Sequence, residues 1–215
     1  MPLVPATAAP TGYHQRVQQE KRTAILEAAT ELFLSEGYSG TSLANVARAA
    51  DVSTATLFKR FPTKADLFDA LVTEYWASER QEAVMPEPGD PRGGLTAIGR
   101  DYVTLLTRPQ MVSLFRLVIA EAPRFPELAK THFALGKLPY FESVRHYLQA
   151  EQAAGTMQIF DTQMATTQFL GMVSNFAFWP RLLLADWAPS KAATRKAVDE
   201  AVTTTLARYA TRKDA

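Results

Sequence analysis

The sequence predicts an all-α fold, with a small three-helix unit leading a larger helical bundle. Apolar residues recur at helical spacing almost throughout, with no sustained alternation of the kind a half-buried strand needs. Prolines and glycines gather in short clusters between those runs. Hydrophobic residues make up 47% of the 215, enough to bury a sizeable core and to argue against disorder.

The elements follow in order. Three prolines before Thr11 predict a flexible tail over residues 1–14. A first helix is expected over residues 15–36, burying Ile25, Ala28, Leu32 and Phe33, with Gly37 ending it in a left-handed conformation. Thr41 or Ser42 caps a short second helix with an inner face of Leu43, Val46, Ala47 and Ala50. Asp51 and Val52 form a tight turn, and Ser53 caps a third helix through Arg60. Phe61 precedes Pro62 and closes that helix. Thr63, with Asp66 three residues on, caps a fourth over residues 63–81, whose stripe is Leu67, Phe68, Leu71, Val72 and Tyr75. PEPGDPRGG, ending at Gly94, reads as a loop. Further helices are expected near 95–107, 110–121, 126–153, 162–184 and 190–211.

Several function classes drop out on composition. With no cysteine, disulfides, thiolate metal sites and cysteine nucleophiles are excluded. The three histidines, His14, His132 and His146, lack metal-site spacing, so no metal site and no cofactor is expected. The sequence carries no nucleophile elbow, phosphate loop, HExxH pair or dinucleotide fingerprint, so no catalytic residues are assigned. The first residues lack the basic start and apolar stretch of a signal peptide. The most apolar run is interrupted by Asn175, Pro180 and Arg181, short of the roughly 20 residues a span needs. A cytoplasmic protein without a membrane partner is the expectation.

DVSTATLFKRF (Asp51–Phe61) poses the functional question. Two short helices joined by a tight turn make a helix-turn-helix when the second stands proud of the first. Ala47 permits that close crossing, and Asp51 tolerates left-handed geometry. The second helix would bury Val52, Leu57 and Phe61 and expose Thr54, Ala55, Thr56, Lys59 and Arg60. Hydroxyls can bond bases or phosphates, Ala55 can meet a thymine methyl, and Lys59 can reach guanine edges. A solvated surface face is the competing reading. Lys64 tips the choice toward DNA: a cation in a helix's first turn is mildly unfavourable unless a phosphate sits there.

GYSGTSLANVARAADVSTATLFKRFPTKADLFDALV, within a match over about residues 15–73, resembles the DNA-binding segment of the TetR family of bacterial transcriptional regulators. The elements GY, TS, VA, DVS, TLF, RFPTK and LF occur in order. The resemblance implies a helix-turn-helix domain over 15–62 and a helical effector-binding and dimerisation domain over 63–215. It implies base-facing positions at Thr54, Ala55, Thr56 and Lys59, and backbone-facing ones at Thr41, Ser42, Phe58 and Lys64. Ser53 and Arg60 complete the candidate double-stranded DNA surface. Two departures stand out: Asp51 replaces the usual turn glycine, and Phe58 the usual tyrosine. Phe58 therefore lacks the hydroxyl that would bond a phosphate.

FRLVIAEAPRFPELAKTHF (Phe115–Phe133) resembles a stretch in a subset of TetR-like regulators, some associated with efflux control. The run Phe169–Leu184 is apolar on almost every side, so it either meets a partner on one face or lies fully buried at a domain centre. The resemblance implies that this helix and the last one build a homodimer, which predicts a palindromic operator. It also implies repression rather than activation. Candidates for a chamber holding a hydrophobic or amphipathic effector are Tyr102, Phe115, His132, Phe133, Tyr140, Phe169, Met172 and Phe176. Ordinary core packing is the competing reading for these, and His132 is either a polar handle or an exposed histidine. A helical enzyme or adaptor that has lost DNA binding is the alternative function.

Overall fold

Proline, glycine and short polar side chains set where each helix begins and ends. The computed structural model describes residues 11–77, 85–184 and 186–211. Helix α1 spans Thr11–Gly40, beginning directly after Pro10 and not near residue 15. Residues 11–14, expected in the tail, are therefore helical despite Gly12; the rest of that tail, residues 1–10, lies outside the described residues. At Gly37 the helix is interrupted, with φ 76°, a conformation glycine adopts without steric cost.

Helix α2 (Leu43–Ala49) starts where the Ser42 hydroxyl accepts the Asn45 N–H at 3.1 Å. Helix α3 (Thr54–Arg60) starts in the same way, with the Thr56 N–H donating to Ser53 Oγ at 3.1 Å. Between them Asp51 takes φ 51°, and the Val52 N–H donates to the Ala47 carbonyl at 3.0 Å. Helix α4 (Lys64–Ala77) opens on a reciprocal capping box: the Thr63 N–H donates to Asp66 Oδ2 at 2.9 Å, and the Asp66 N–H to Thr63 Oγ1 at 3.1 Å. Its expected continuation to residue 81 lies outside the described residues.

The backbone packs as two compact units, Met1–Ala70 and Leu71–Ala215. The first is closed by a core that includes Ile25, Phe33, Val46, Leu57, Phe61 and Phe68. Leu32 and Val52, expected in that core, are only half-buried.

The second unit holds α5 (Pro91–Leu106), α6 (Pro109–Glu121), α7 (Pro126–Thr131), α8 (Leu138–Ala153), α9 (Thr162–Ala177), α10 (Trp179–Leu183) and α11 (Lys191–Tyr209). Helices α5, α9 and α11 pack against one another, and α8 packs on α9. Three expectations need correction. Helix α5 begins at Pro91, inside the segment read as loop, because Asp90 caps it by accepting the Gly93 N–H at 3.0 Å and Pro91 suits a first helical position. The run over 126–153 is not one α-helix: His132–Lys137 form a π-helical turn between α7 and α8. The run over 162–184 breaks at Phe178, because Pro180 has no N–H to continue the ladder. Helix α9 is not enclosed either, since Met164, Gln168, Gly171 and Asn175 leave one side open. Among the described residues no single helix is long and apolar enough to cross a membrane.

Candidate functional site

Only seven residues long, α3 is anchored from beneath by Leu57 and Phe61, both buried. Positions i, i+1, i+4 and i+5 of a helix share a side, and here they are Thr54, Ala55, Phe58 and Lys59, all exposed. That is the small, hydroxyl-bearing and basic face the sequence predicts. Phe58 is 46% exposed, an unusual position for a large aromatic ring. Thr56 is half-buried, and its hydroxyl shares a 2.7 Å hydrogen bond with Ser53 Oγ. The Arg60 guanidinium donates to Gln18 Oε1 on α1, which ties the end of α3 to the first helix.

Two residues expected at the DNA backbone have tasks inside the fold. Thr41 is buried, and its hydroxyl donates to the Gly37 carbonyl at 2.9 Å, closing the break in α1. The Lys64 ammonium donates to the carbonyls of Tyr38, Ser39 (3.3 Å) and Thr41 (2.9 Å) and lies 4.6 Å from the centre of the Tyr38 ring. The structural reason for a first-turn lysine is therefore present: three carbonyls of the segment before α2 converge on it. The dipole of its own helix disfavours a cation at Lys64, and these carbonyls offset that. Ser42 remains exposed while serving as the α2 cap.

A second feature is an aromatic cavity of about 170 Å³ in the Leu71–Ala215 unit. Tyr102 and Phe115, two of the expected effector residues, line it. His132 and Tyr140 stand in the surrounding ring cluster: Phe115 meets His132 edge-on at 4.4 Å, and Tyr102 stacks on Tyr140 at 5.0 Å. The other four expected residues do not line it. Phe169 is core, Met172 and Phe176 are half-buried elsewhere on α9, and Phe133 is 54% exposed.

Sequence reasoning missed Trp76, Lys137, Phe141, Phe178 and Trp179, which all line the cavity. Trp76 had a signal, since it continues the 68–72–76 stripe of α4 at i+4 spacing. Its indole lies so close to the backbone of Gly136 that a Cβ there would come within 2.4 Å of Nε1. Lys137 had none, because it lies on a π turn that no spacing in the sequence marks.

The electrostatics of this region are those of burial. His132 is 3% exposed, and neither ring nitrogen has a hydrogen-bond partner. Burial, and then the nearby Lys137 charge, lower its pKa to about 4, so the ring is neutral at neutral pH. Burial also lowers the pKa of Lys137, whose ammonium lies 4.7 Å and 4.9 Å from the Phe133 and Phe141 ring centres. Desolvation raises the pKa of the Tyr102 phenol well above its ordinary value despite a hydrogen bond with Ser174. Among the described residues no group of three or more His, Asp or Glu side chains could hold a metal.

A helix-turn-helix with an exposed basic face, followed in sequence by an α-helical unit enclosing an aromatic cavity, defines a class of two-unit regulators. Residues 25–71 match the family model described as bacterial regulatory proteins of the tetR family. Residues 93–211, more than half of the chain, match the C-terminal domain of AefR-like transcriptional repressors. The chain belongs to the TetR family of transcriptional regulators.

Among curated relatives, the uncharacterised HTH-type regulator YvkB of Bacillus subtilis is 29% identical over 116 residues, covering 49% of this chain and 60% of that protein. The chain spans about half to three-fifths of the length of the curated relatives it matches first. A solved structure assigned to a TetR-family regulator of Mesorhizobium loti is 27% identical with a TM-score of 0.74, covering 90% of this chain and 98% of that one. The structure titled flavonoid-responsive regulator FrrA is 28% identical with a TM-score of 0.73, covering 90% and 99%. The families and relatives matched are transcriptional regulators, in keeping with the expectation of a non-enzyme.

Proposed function

We propose that the protein is a ligand-relieved repressor that binds a palindromic operator as a homodimer in the cytoplasm. The observation that carries this reading is the exposed face of α3, where Thr54, Ala55, Phe58 and Lys59 lie together on a helix anchored from below by Leu57 and Phe61. A short projecting helix with that surface fits the major groove. Thr54, Ala55, Thr56 and Lys59 are assigned to base edges. Ser42, Ser53, Phe58, Arg60 and Lys64 are assigned to the sugar-phosphate backbone, and Thr41 to holding the segment before α2.

Dimerisation is assigned to α9 and α11. Met164 on the open side of α9 is exposed, as are Trp179 and Leu183 on the short α10 that follows it and Leu184 at its end, and Leu183 is 87% exposed. Apolar surface of that kind marks an interaction site. Two-fold symmetry then sets the half-sites about one DNA turn, roughly 34–36 Å, apart.

The effector site is assigned to the aromatic cavity. Helix α4 carries Lys64 in its first turn and Trp76 on the cavity wall about three turns later. A ligand that displaces Trp76 moves this helix and releases DNA, provided it binds the released state more tightly.

Selection of bound duplexes from a random library, at stated salt, tests the DNA reading. Enrichment of a palindrome is the expected outcome. A folded, ligand-stripped protein that enriches no sequence overturns it.

A further inference from the structure

We propose that the aromatic cavity binds a single-ring aromatic carboxylate, with Lys137 as the counter-ion of the carboxylate and the ring held among Trp76, Tyr102, Phe115 and Phe178. The proposal deepens the effector-domain reading and rests on it for its biological meaning.

Size and wall chemistry set the ring. The cavity encloses about 170 Å³. A cavity of about 150 Å³ is known to accept benzene, whereas drug-sized pockets run from about 300 Å³ upward. One ring and a small substituent fill that volume, and a second fused ring extends beyond it. Six of the lining side chains are aromatic (Trp76, Tyr102, Phe115, Phe141, Phe178 and Trp179), and they supply edges and faces for a planar guest.

Charge sets the substituent. Lys137 is the one ionisable cation on the wall, and among the described residues no carboxylate pairs with it. Its ammonium is held between two phenylalanine rings, which attract a cation but accept no conventional hydrogen bond. A half-buried ammonium without an anion is costly, and a bound carboxylate removes that cost. No acidic side chain lines the cavity to repel an anion.

The third observation is the π turn. His132 opens it and Lys137 closes it. In an α-helix, residues five apart point roughly 140° away from each other. A π turn closes its hydrogen bonds between i and i+5, which brings such residues near each other. Single π turns are frequent at functional sites, and this one gathers a buried histidine with no hydrogen-bond partner and an unpaired lysine beside one cavity.

Isothermal titration calorimetry of the full-length protein without DNA tests the site, using benzoate, benzamide and 1-naphthoate as probes. Benzoate is expected to bind at least tenfold more tightly than benzamide, and 1-naphthoate more weakly than benzoate. Lys137→Met is expected to abolish the preference for benzoate over benzamide, with benzoate losing at least tenfold in affinity. Thermal melts establish that the variant is folded, and Lys137→Gln serves if Lys137→Met is not. Equal affinity for benzoate and benzamide, binding of neither, or a preference that survives the Lys137 substitution each overturns the proposal. DNA release is read separately by fluorescence anisotropy on the selected duplex. Benzoate that binds through Lys137 without releasing DNA refutes ligand relief and upholds the site. Release by some other compound, with benzoate not binding, upholds ligand relief and overturns the site.

Discussion

Glu151 and His132 lie in the same helical unit, both buried, and the protein treats their polar atoms in opposite ways. Glu151 is fully enclosed, and its carboxyl oxygens accept from the Gly89 N–H at 2.9 Å, from the Thr156 hydroxyl at 2.5 Å and from the Tyr147 hydroxyl. Three donors from three segments meet it, so it fastens the approach to α5 onto the end of α8. His132, almost as buried, receives nothing. Leaving a buried polar group unpaired costs about 1–3 kcal/mol, a cost natural proteins seldom leave in place without function. The difference separates a polar group that holds the fold from one that adds no hydrogen bond to it.

Removing Glu151 is the largest expected break in that comparison. Glu151→Ala removes the acceptor of the Gly89 N–H, leaves the Tyr147 and Thr156 hydroxyls only the backbone carbonyls of Asp90 and residue 151, and opens a cavity, so a loss of roughly 3–5 kcal/mol is expected in urea unfolding. If stability falls by less than about 1 kcal/mol, Glu151 is no fastening and the contrast with His132 fails.

His132 sharpens it through pH. Its folded pKa of about 4 lies below the ordinary 6.5, so the unfolded chain takes up the proton first. Its contribution is constant above about pH 6.5 and falls progressively as pH drops toward 4, by roughly 3 kcal/mol in all. His132→Phe is expected to flatten the stability-pH curve over that window and to leave stability at pH 7 equal or higher. Unfolding curves for both proteins at a series of pH values check it; identical slopes would show that His132 is not the group responsible.

How much of this was legible beforehand follows from the range of the interactions. Ser42, Ser53, Thr63 and Asp66 were readable as caps, because a cap acts over three residues. Gly37 and Asp51 were readable as left-handed positions for the same reason. Asp90–Pro91 was local too, yet the neighbouring glycines and prolines made a helix start look like loop. The cavity was only half legible. Tyr102 and Phe115 were named, but Trp76, Lys137 and Phe178 reach it from three other elements, and no spacing in the sequence records that convergence. Phe169 followed the same aromatic logic and proved to be core.

The helix-turn-helix invites a parallel comparison, between an exposed lysine and an engaged one. Lys59 is exposed on α3, so Lys59→Ala is expected to leave folding intact and to cost about 1–3 kcal/mol of DNA binding, confined to one preferred base. Binding measured across duplexes substituted at each operator position checks it. A loss spread evenly over all sequences would move Lys59 from the bases to the phosphates.

Lys64 carries the smallest expected effect and the finest distinction. Lys64→Met keeps the side-chain length but removes the ammonium that gathers the carbonyls of Tyr38, Ser39 and Thr41. Because the site is partly open to water, a stability loss of about 1 kcal/mol is expected. If that ammonium also meets a phosphate, the slope of log affinity against log salt falls in magnitude by about one. If it only holds the segment before α2, affinity drops while the slope stays as it was. A salt titration beside an unfolding curve therefore tells whether one charge serves the fold alone or the fold and the DNA together. The two tasks are compatible in principle: an ammonium has three donors, and three carbonyls can share them unequally as a phosphate approaches.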